Sequence, residues 1–205
     1  MPFPNTDERF WRYLAEARTT PFRWALYYEA EGYDTPSVAR IRADLEYFRD
    51  TYAPSPAYLK VDGRFVVFVY GGPNDDCDTV RRWREANASV NAYVVLMVFA
   101  GYRDCALQPD AWHHYEPATP VYSAAPDSVM ISPGFDSRQE GAPRLARDLG
   151  RWKQDIAAMV ASNAEWQLVE TFNEWAEGTA VESAQEWATP SGYGAYLDAL
   201  HDALP

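Results

Sequence analysis

Residues 170–182 read ETFNEWAEGTAVE, and the rest of the chain makes sense outward from them. The short apolar run at residues 166–172 has the character of a buried strand and passes straight into Asn173, Glu174, Trp175, Ala176 and Glu177. Two carboxylates three residues apart therefore follow a strand, with a tryptophan between them and Gly178 just behind. In a parallel α/β barrel the reacting groups sit at the C-terminal ends of the strands. This corner reads as such a catalytic mouth, with the remaining chain as scaffold and walls.

Upstream, strand and helix patterns alternate. Thr6 before Asp7 and Glu8 predicts a helix start, followed by Phe10, Leu14 and Ala17 at helical spacing and a stop at Thr20-Pro21. Residues 22–28 predict an aromatic strand flowing into Glu29, Ala30, Glu31 and Gly32. Thr35-Pro36 predicts the next helix start, with Thr35 as cap and Pro36 in the first turn. Val38, Ile41, Leu45, Phe48 and Tyr52 would form its buried face. Asp62-Gly63 between residues 58–61 and 64–70 is a two-residue hairpin signal. The second of those runs, apolar throughout, is what a buried parallel strand requires.

Further on, residues 78–87 predict a helix with Val80 and Trp83 inside, and residues 92–99 another continuous apolar strand. Residues 109–115 read as aromatic and irregular, and residues 120–123 and 128–132 as short strands. Leu145, Leu149, Trp152, Ile156 and Met159 predict one long amphipathic helix, and residues 192–203 a last one. The alternation predicts an α/β fold with a parallel sheet and helical crossovers. Strand ends that collect Glu29, Tyr70, Asp136, Glu174 and Glu177 favour a (β/α)8 TIM-type barrel over an open sheet, which would carry a glycine-rich phosphate loop after its first strand. About six strand-helix units are legible where a full barrel has eight, and the chain opens on a helix. The expectation is a single domain over residues 1–205, a partial barrel lacking its first units at the N-terminus.

The composition narrows the chemistry. With 205 residues, 47% hydrophobic and 15% aromatic, the chain has enough apolar matter for a substantial core. Eight Trp and fourteen Tyr suit either a sugar-binding surface or a well-filled core. A net charge of −12 disfavours nucleic acid and anionic membrane surfaces, because their phosphates repel it. No apolar run approaches the roughly 20 residues of a membrane span. The opening, MPFPNTDERF, lacks the basic start and apolar core of a signal peptide. Cys77 and Cys105 have no metal-ligand spacing; they read as ordinary thiols, with a disulfide as the open alternative that nothing in the sequence supports.

Paired carboxylates serve glycoside hydrolysis, one protonating the leaving oxygen and the other acting as nucleophile or base. Glu174 and Glu177 are candidates, with Trp175 as an apolar wall of the kind that suits a general acid. The spacing alone is equally that of a solvated helix start. Glu29 and Glu31 form a second acidic pair, readable as sugar-hydroxyl recognition or as an acidic loop, and Asp136 as a ligand group or as plain turn chemistry. His113-His114 lacks a clear third metal ligand, and adjacent strand residues point apart. Asn74-Asp75-Asp76-Cys77-Asp78 reads as a helix-capping acidic loop, since it lacks the glycine and closing glutamate of a calcium loop.

These residues also carry a resemblance. The run from Phe172 through Asn173, Glu174, Trp175, Ala176, Glu177 and Gly178 to Thr179, with Glu182 close behind, resembles the F-N-E-W-H-E-G-T signature of glycoside hydrolase family 99. That family contains the endo-α-1,2-mannosidases and endo-mannanases. Tyr27-Tyr28-Glu29, the YLKVDGRFVVFVY run at residues 58–70 and Ser132-Pro133-Gly134-Phe135-Asp136 agree with other stretches of it. Ala176 stands where the signature has His, which is closer to the N-E-W-A-E-G of polysaccharide-cluster proteins of the WbsX type.

The resemblance implies a (β/α)8 barrel and a retaining endo-acting α-glycosidase working on α-linked mannosides or related polysaccharides through a 1,2-anhydro sugar. It implies Glu174 as the base for the 2-hydroxyl, Glu177 as the acid/base, and Tyr27, Glu29, Tyr70, Asp136 and Trp175 along the sugar subsites. No metal or cofactor is implied. A non-catalytic carbohydrate-binding or polysaccharide-biosynthesis role is the alternative, as is an inactive barrel fragment. An open barrel seam would expose strand edges and favour self-association.

Overall fold

The computed structural model describes residues 4–136 and 141–203, the side chains of residues 4–6 excepted. The first helix begins at Pro4, two residues before the start expected at Thr6, and residues 1–3 of the opening lie outside what is described. The chain divides into two units, Met1–Ala111 and Trp112–Pro205.

In the first unit, α1 (Pro4–Ala17) buries Phe10 and Leu14, and the Phe10 ring meets Tyr52 and Tyr58 edge-on. Strand β1 (Leu26–Tyr28) is shorter than the run at 22–28 predicts, with Trp24 making only an isolated bridge to Tyr58. A four-residue helix, α2 (Ala30–Tyr33), follows it directly. The next helix, α3 (Val38–Thr51), is capped by Ser37, whose side chain accepts the Arg40 N–H. The expected Thr35 cap is thereby corrected: Ser37 is the residue with extended backbone at the helix entry, and Ile41 and Leu45 face the core.

The hairpin forms as expected. Strands β2 (Lys60–Val61) and β3 (Arg64–Val69) pair antiparallel, and Asp62 and Gly63 both take positive φ, +50° and +77°, as a tight hairpin turn requires. β3 also pairs in parallel with β1 and with β4 (Tyr93–Met97). The helix between β3 and β4, α4 (Cys77–Asn87), is capped by Asp76, whose carboxylate takes the Asp78 N–H. The acidic loop is a helix cap, as its composition predicts. Cys77 and Cys105 form a disulfide. This corrects the free-thiol reading: separation along the chain carries no record of which loops meet in space.

β5 (Ala111–His113) is a buried strand, where the sequence predicts irregular chain. In the second unit, β6 (Val121–Ala124) pairs antiparallel with β7 (Ser128–Ile131), and β7 in parallel with β8 (Trp166–Val169). The crossover helix, α5 (Leu149–Ala161), is capped by Asp148. Leu145 lies outside it and bridges to Phe135, so the helix begins later than the apolar spacing predicts. The last helix, α6 (Ala195–Ala203), packs with α5 over β7. Ile131, Trp152, Ile156, Met159, Val181 and Leu200 form that core, and the Trp152 indole N–H donates to the Tyr196 carbonyl at 3.0 Å. The result is α/β, with parallel strand pairs joined by helical crossovers. Among the described residues, no helix is long and apolar enough to cross a membrane.

Candidate active site

Strand β8 stops at Val169, three residues before the sequence predicts, and everything distinctive about the site follows from that early stop. Glu170 is then the first residue past the strand. It is 5% exposed, and its Oε1 accepts the Glu116 N–H at 3.0 Å. Its Oε2 is buried with no hydrogen-bond partner among the described residues. Burial pushes its pKa up to about 8; the Glu116 N–H opposes that rise, and the charges of Glu116 and Glu177 add to it. A peptide bond in cis joins it to Thr171.

From Thr171 the chain loops out and returns. The Thr171 N–H donates to the Thr179 carbonyl, and the Val181 N–H to the Thr171 carbonyl. Inside the loop the Thr171 and Thr179 hydroxyls share a hydrogen bond of 2.8 Å, and Thr171 Oγ1 also accepts the Glu174 N–H. A single 3-10 turn, Trp175–Glu177, sits at the tip and ends on Gly178, whose φ of +68° only glycine adopts cheaply. A Cβ on Gly178 would also press on the Asp136 backbone and Cβ at 3.2 Å. The loop thus closes on itself and rests on Asp136, whose N–H donates to the Glu177 carbonyl at 2.9 Å.

The two predicted acids differ in surroundings. Glu174 is exposed. Glu177 is half-buried, and its Oε2 accepts the Tyr115 hydroxyl at 2.9 Å. Trp175 is 42% exposed and stacks on Trp187, ring centroids 5.7 Å apart and planes 10° from parallel. Its indole N–H donates to Glu182 Oε2 at 2.9 Å. Trp187 is fixed in turn by its own N–H to the Glu182 carbonyl and by the Arg147 guanidinium over its face, 4.4 Å from the centroid. Trp175 therefore presents an open aromatic face held by a rigid backing, which suits the C–H faces of a sugar ring.

In the first unit, Tyr27 and Tyr70 stand side by side at the ends of β1 and β3, ring centroids 6.0 Å apart, with Tyr33 against Tyr70 at 6.1 Å. Glu29 is exposed at the start of α2. Glu31, by contrast, is buried. Its carboxylate accepts Arg82 at 2.5 Å and the Trp83 indole N–H at 2.7 Å. That removes Glu31 from sugar-hydroxyl recognition, because both of its oxygens are already engaged. A cavity of about 420 Å³ opens beside this pair, lined by Tyr33, Asp34, Asn74, Asp75 and Arg82 among others. Burial raises the Asp75 carboxyl above its ordinary range.

The structure therefore brings Glu174, Trp175, Glu177 and Asp136 onto one loop cluster in the second unit, and Tyr27 with Tyr70 together in the first. Sequence reasoning missed Glu170, Tyr115 and Trp187. Glu170 carried a signal, a single carboxylate at the end of an apolar run. Tyr115 and Trp187 carried none, since their roles come from loops folding back. His113 is buried, and His114 stacks on Tyr122 at 3.5 Å, so the pair sits within packed structure.

No protein-family model and no curated protein sequence matches the chain. Solved structures do match. A structure titled as the GH99 endo-alpha-mannosidase from Bacteroides thetaiotaomicron superposes with a TM-score of 0.70 over 93% of this chain and 67% of that one, at 17% identity. The same enzyme in complex with bis-tris-propane matches at 0.70 over 93% and 70%, at 18% identity. The fold is that of these glycoside hydrolases. A glycoside hydrolase-like protein matches at 0.59, over 81% of this chain and 61% of that one, at 18% identity. The shared fold agrees with the resemblance read from residues 172–179.

Proposed function

We propose that the chain is a retaining, endo-acting α-glycosidase of the endo-α-mannosidase type, built on a (β/α)8-barrel framework and acting on α-linked mannosides or related polysaccharides. The observation that carries this reading is the pairing on one self-closed loop of an exposed carboxylate, Glu174, with a half-buried one, Glu177, that already holds a tyrosine hydroxyl. Different surroundings for two nearby carboxyls are what separate a base from an acid.

In the proposed reaction, the Glu174 carboxylate takes the proton of the substrate's 2-hydroxyl. The 2-oxygen attacks the anomeric carbon as the bond to the leaving oxygen breaks, and Glu177 protonates that oxygen. In an α-mannoside these two oxygens lie on opposite faces of the ring, so attack is in line. The 1,2-anhydro sugar is then opened by water, with Glu177 taking the water proton and Glu174 returning one to the 2-oxygen. Two inversions give net retention. A nucleophile already on the ring has a large effective concentration. Trp175, backed by Trp187, walls the sugar; Tyr27, Glu29, Tyr70 and Asp136 are the proposed further contacts. No step draws on a metal or cofactor.

A second reading, carbohydrate binding without turnover, is favoured by the same Trp175–Trp187 stack, which would hold a sugar with or without chemistry. Release of reducing sugar from α-mannan, measured beside mannan binding, separates the two. The glycosidase reading expects Glu177→Gln to abolish release while leaving binding intact. The binding reading expects no release from the wild type, and mannan binding that Trp175→Ala alone removes.

A further inference from the structure

Behind the two acids lies a third carboxyl that the reaction above does not use. Glu170 sits at the end of β8, buried; its backbone N–H donates to the Ile131 carbonyl, and the one hydrogen bond of its carboxyl among the described residues is from the N–H of Glu116. The residue before Glu116 is Tyr115, whose hydroxyl donates to Glu177. The segment at residues 114–119 lies between β5 and β6 and has no strand ladder of its own. His114 stacking on Tyr122, the Ser132 hydroxyl on the Pro117 carbonyl and the Thr119 N–H on the Glu116 carbonyl also tie this segment, and the Glu170 contact reaches it at the peptide next to Tyr115 from the end of the strand that carries the acid loop.

We infer that Glu170 is a positioning residue for Glu177: by holding the Glu116 N–H, it sets the Tyr115 hydroxyl on the Glu177 carboxylate. The inference rests on the glycosidase reading only in so far as Glu177 has work to do; the geometry itself needs no substrate.

The state of Glu170 supports this role. The negative groups that act on it are Glu116 and Glu177, and an ionised carboxylate beside them, with one oxygen unpartnered, would be repelled by both. With its pKa pushed up to about 8, Glu170 is a neutral acid through the acidic and neutral range. It then accepts the Glu116 N–H through its carbonyl oxygen without placing a second charge beside Glu177. Glutamine reproduces that acceptor and that neutrality; methionine keeps the bulk and removes the acceptor.

The test uses protein labelled with [13Cζ]tyrosine, the Tyr115 resonance being assigned by its loss in Tyr115→Phe. The chemical shift of a phenol carbon reports hydrogen-bond donation by its hydroxyl. Glu170→Met is expected to move the Tyr115 signal to where Glu177→Ala puts it, and Glu170→Gln to leave it at the wild-type position. With α-mannan as substrate, Glu170→Met is expected to lower kcat on the order of tenfold to a hundredfold with KM little changed, and Glu170→Gln to restore it.

A Tyr115 signal unmoved by Glu170→Met, or moved equally by Glu170→Gln, overturns the inference. Should Glu170→Met not fold, the wild-type Glu116 amide proton decides. It is expected to titrate together with Glu170, and to stop doing so in Glu170→Gln; an amide indifferent to pH overturns the inference. The spectra need no turnover. A chain that shows the expected shifts but releases no sugar therefore sinks the glycosidase reading while leaving the positioning contact in place.

Discussion

Replacing Glu170 by glutamine should remove a loss of stability that the wild type suffers as pH rises. Burial raises the pKa of Glu170 from the usual 4.5 to about 8. Between those values the folded protein keeps a proton that the unfolded chain has already released. The native state thus binds more protons than the unfolded one, and stability falls as pH rises, by at most about 1.4 kcal/mol per pH unit. Below the unfolded value both states hold the proton and the full stability is present. Across the window from 4.5 to about 8 the loss is on the order of 5 kcal/mol, a sizeable part of a typical total of roughly 5–15 kcal/mol.

Glutamine carries no such proton. Its amide N–H2 falls where Oε2 has no partner, which costs about 1–3 kcal/mol at every pH. The two stability curves therefore cross: wild type is the more stable near the acidic end and Glu170→Gln near the alkaline end. Urea unfolding followed by tryptophan fluorescence, at steps between the two limits, measures both. The difference between the curves removes every other titrating group common to the two proteins. Parallel curves, differing by a constant amount across the range, would show that Glu170 titrates as an ordinary surface carboxylate and would refute the reasoning.

Other positions test the scaffold. The disulfide between Cys77 and Cys105 closes a stretch of 28 residues, and the double replacement by serine should cost about 3–4 kcal/mol, read as a lower urea midpoint under oxidising conditions and no difference under reducing ones. Arg82→Met should cost about 3–5 kcal/mol because it leaves the buried Glu31 carboxylate without its cation, and adding Glu31→Gln should recover a large part of that loss. Gly178→Ala forces a side chain into a left-handed backbone and against Asp136. It should lower turnover more than it lowers the melting temperature, because the strain falls on the acid-bearing loop and not on the core.

Much of the architecture was legible in the sequence because the elements that form the sheets carry strong local signals. Asp62-Gly63 turns the β2–β3 hairpin since both residues accept positive φ, and the unbroken apolar runs at β3 and β4 are buried parallel strands. The capping role of Asp76 is read directly from an acidic cluster ahead of an amphipathic run.

What the sequence did not reveal depends on contacts made at a distance. Ser37 and not Thr35 caps α3, because the choice between adjacent capping residues is made by backbone direction. β5 hides in an aromatic stretch with no clear alternation, since all three of its residues are buried. The strand before the acids stops at Val169, and reading it on to Phe172 places Glu170 inside a strand and conceals it. Phe172 itself is 56% exposed, its apolar character serving the loop and not the core. Tyr115 and Glu177 lie far apart along the chain, as do the two cysteines, and no periodicity reports on such pairs.

The most direct measurement is the configuration of the first sugar released. Proton NMR of an α-mannosyl oligosaccharide incubated with the full chain resolves the anomeric signal of the new reducing end before it equilibrates. The proposed two-step route through the 2-oxygen predicts the α anomer first, and no product at all from Glu177→Gln. The β anomer first, or no product from the folded wild-type chain, would contradict it.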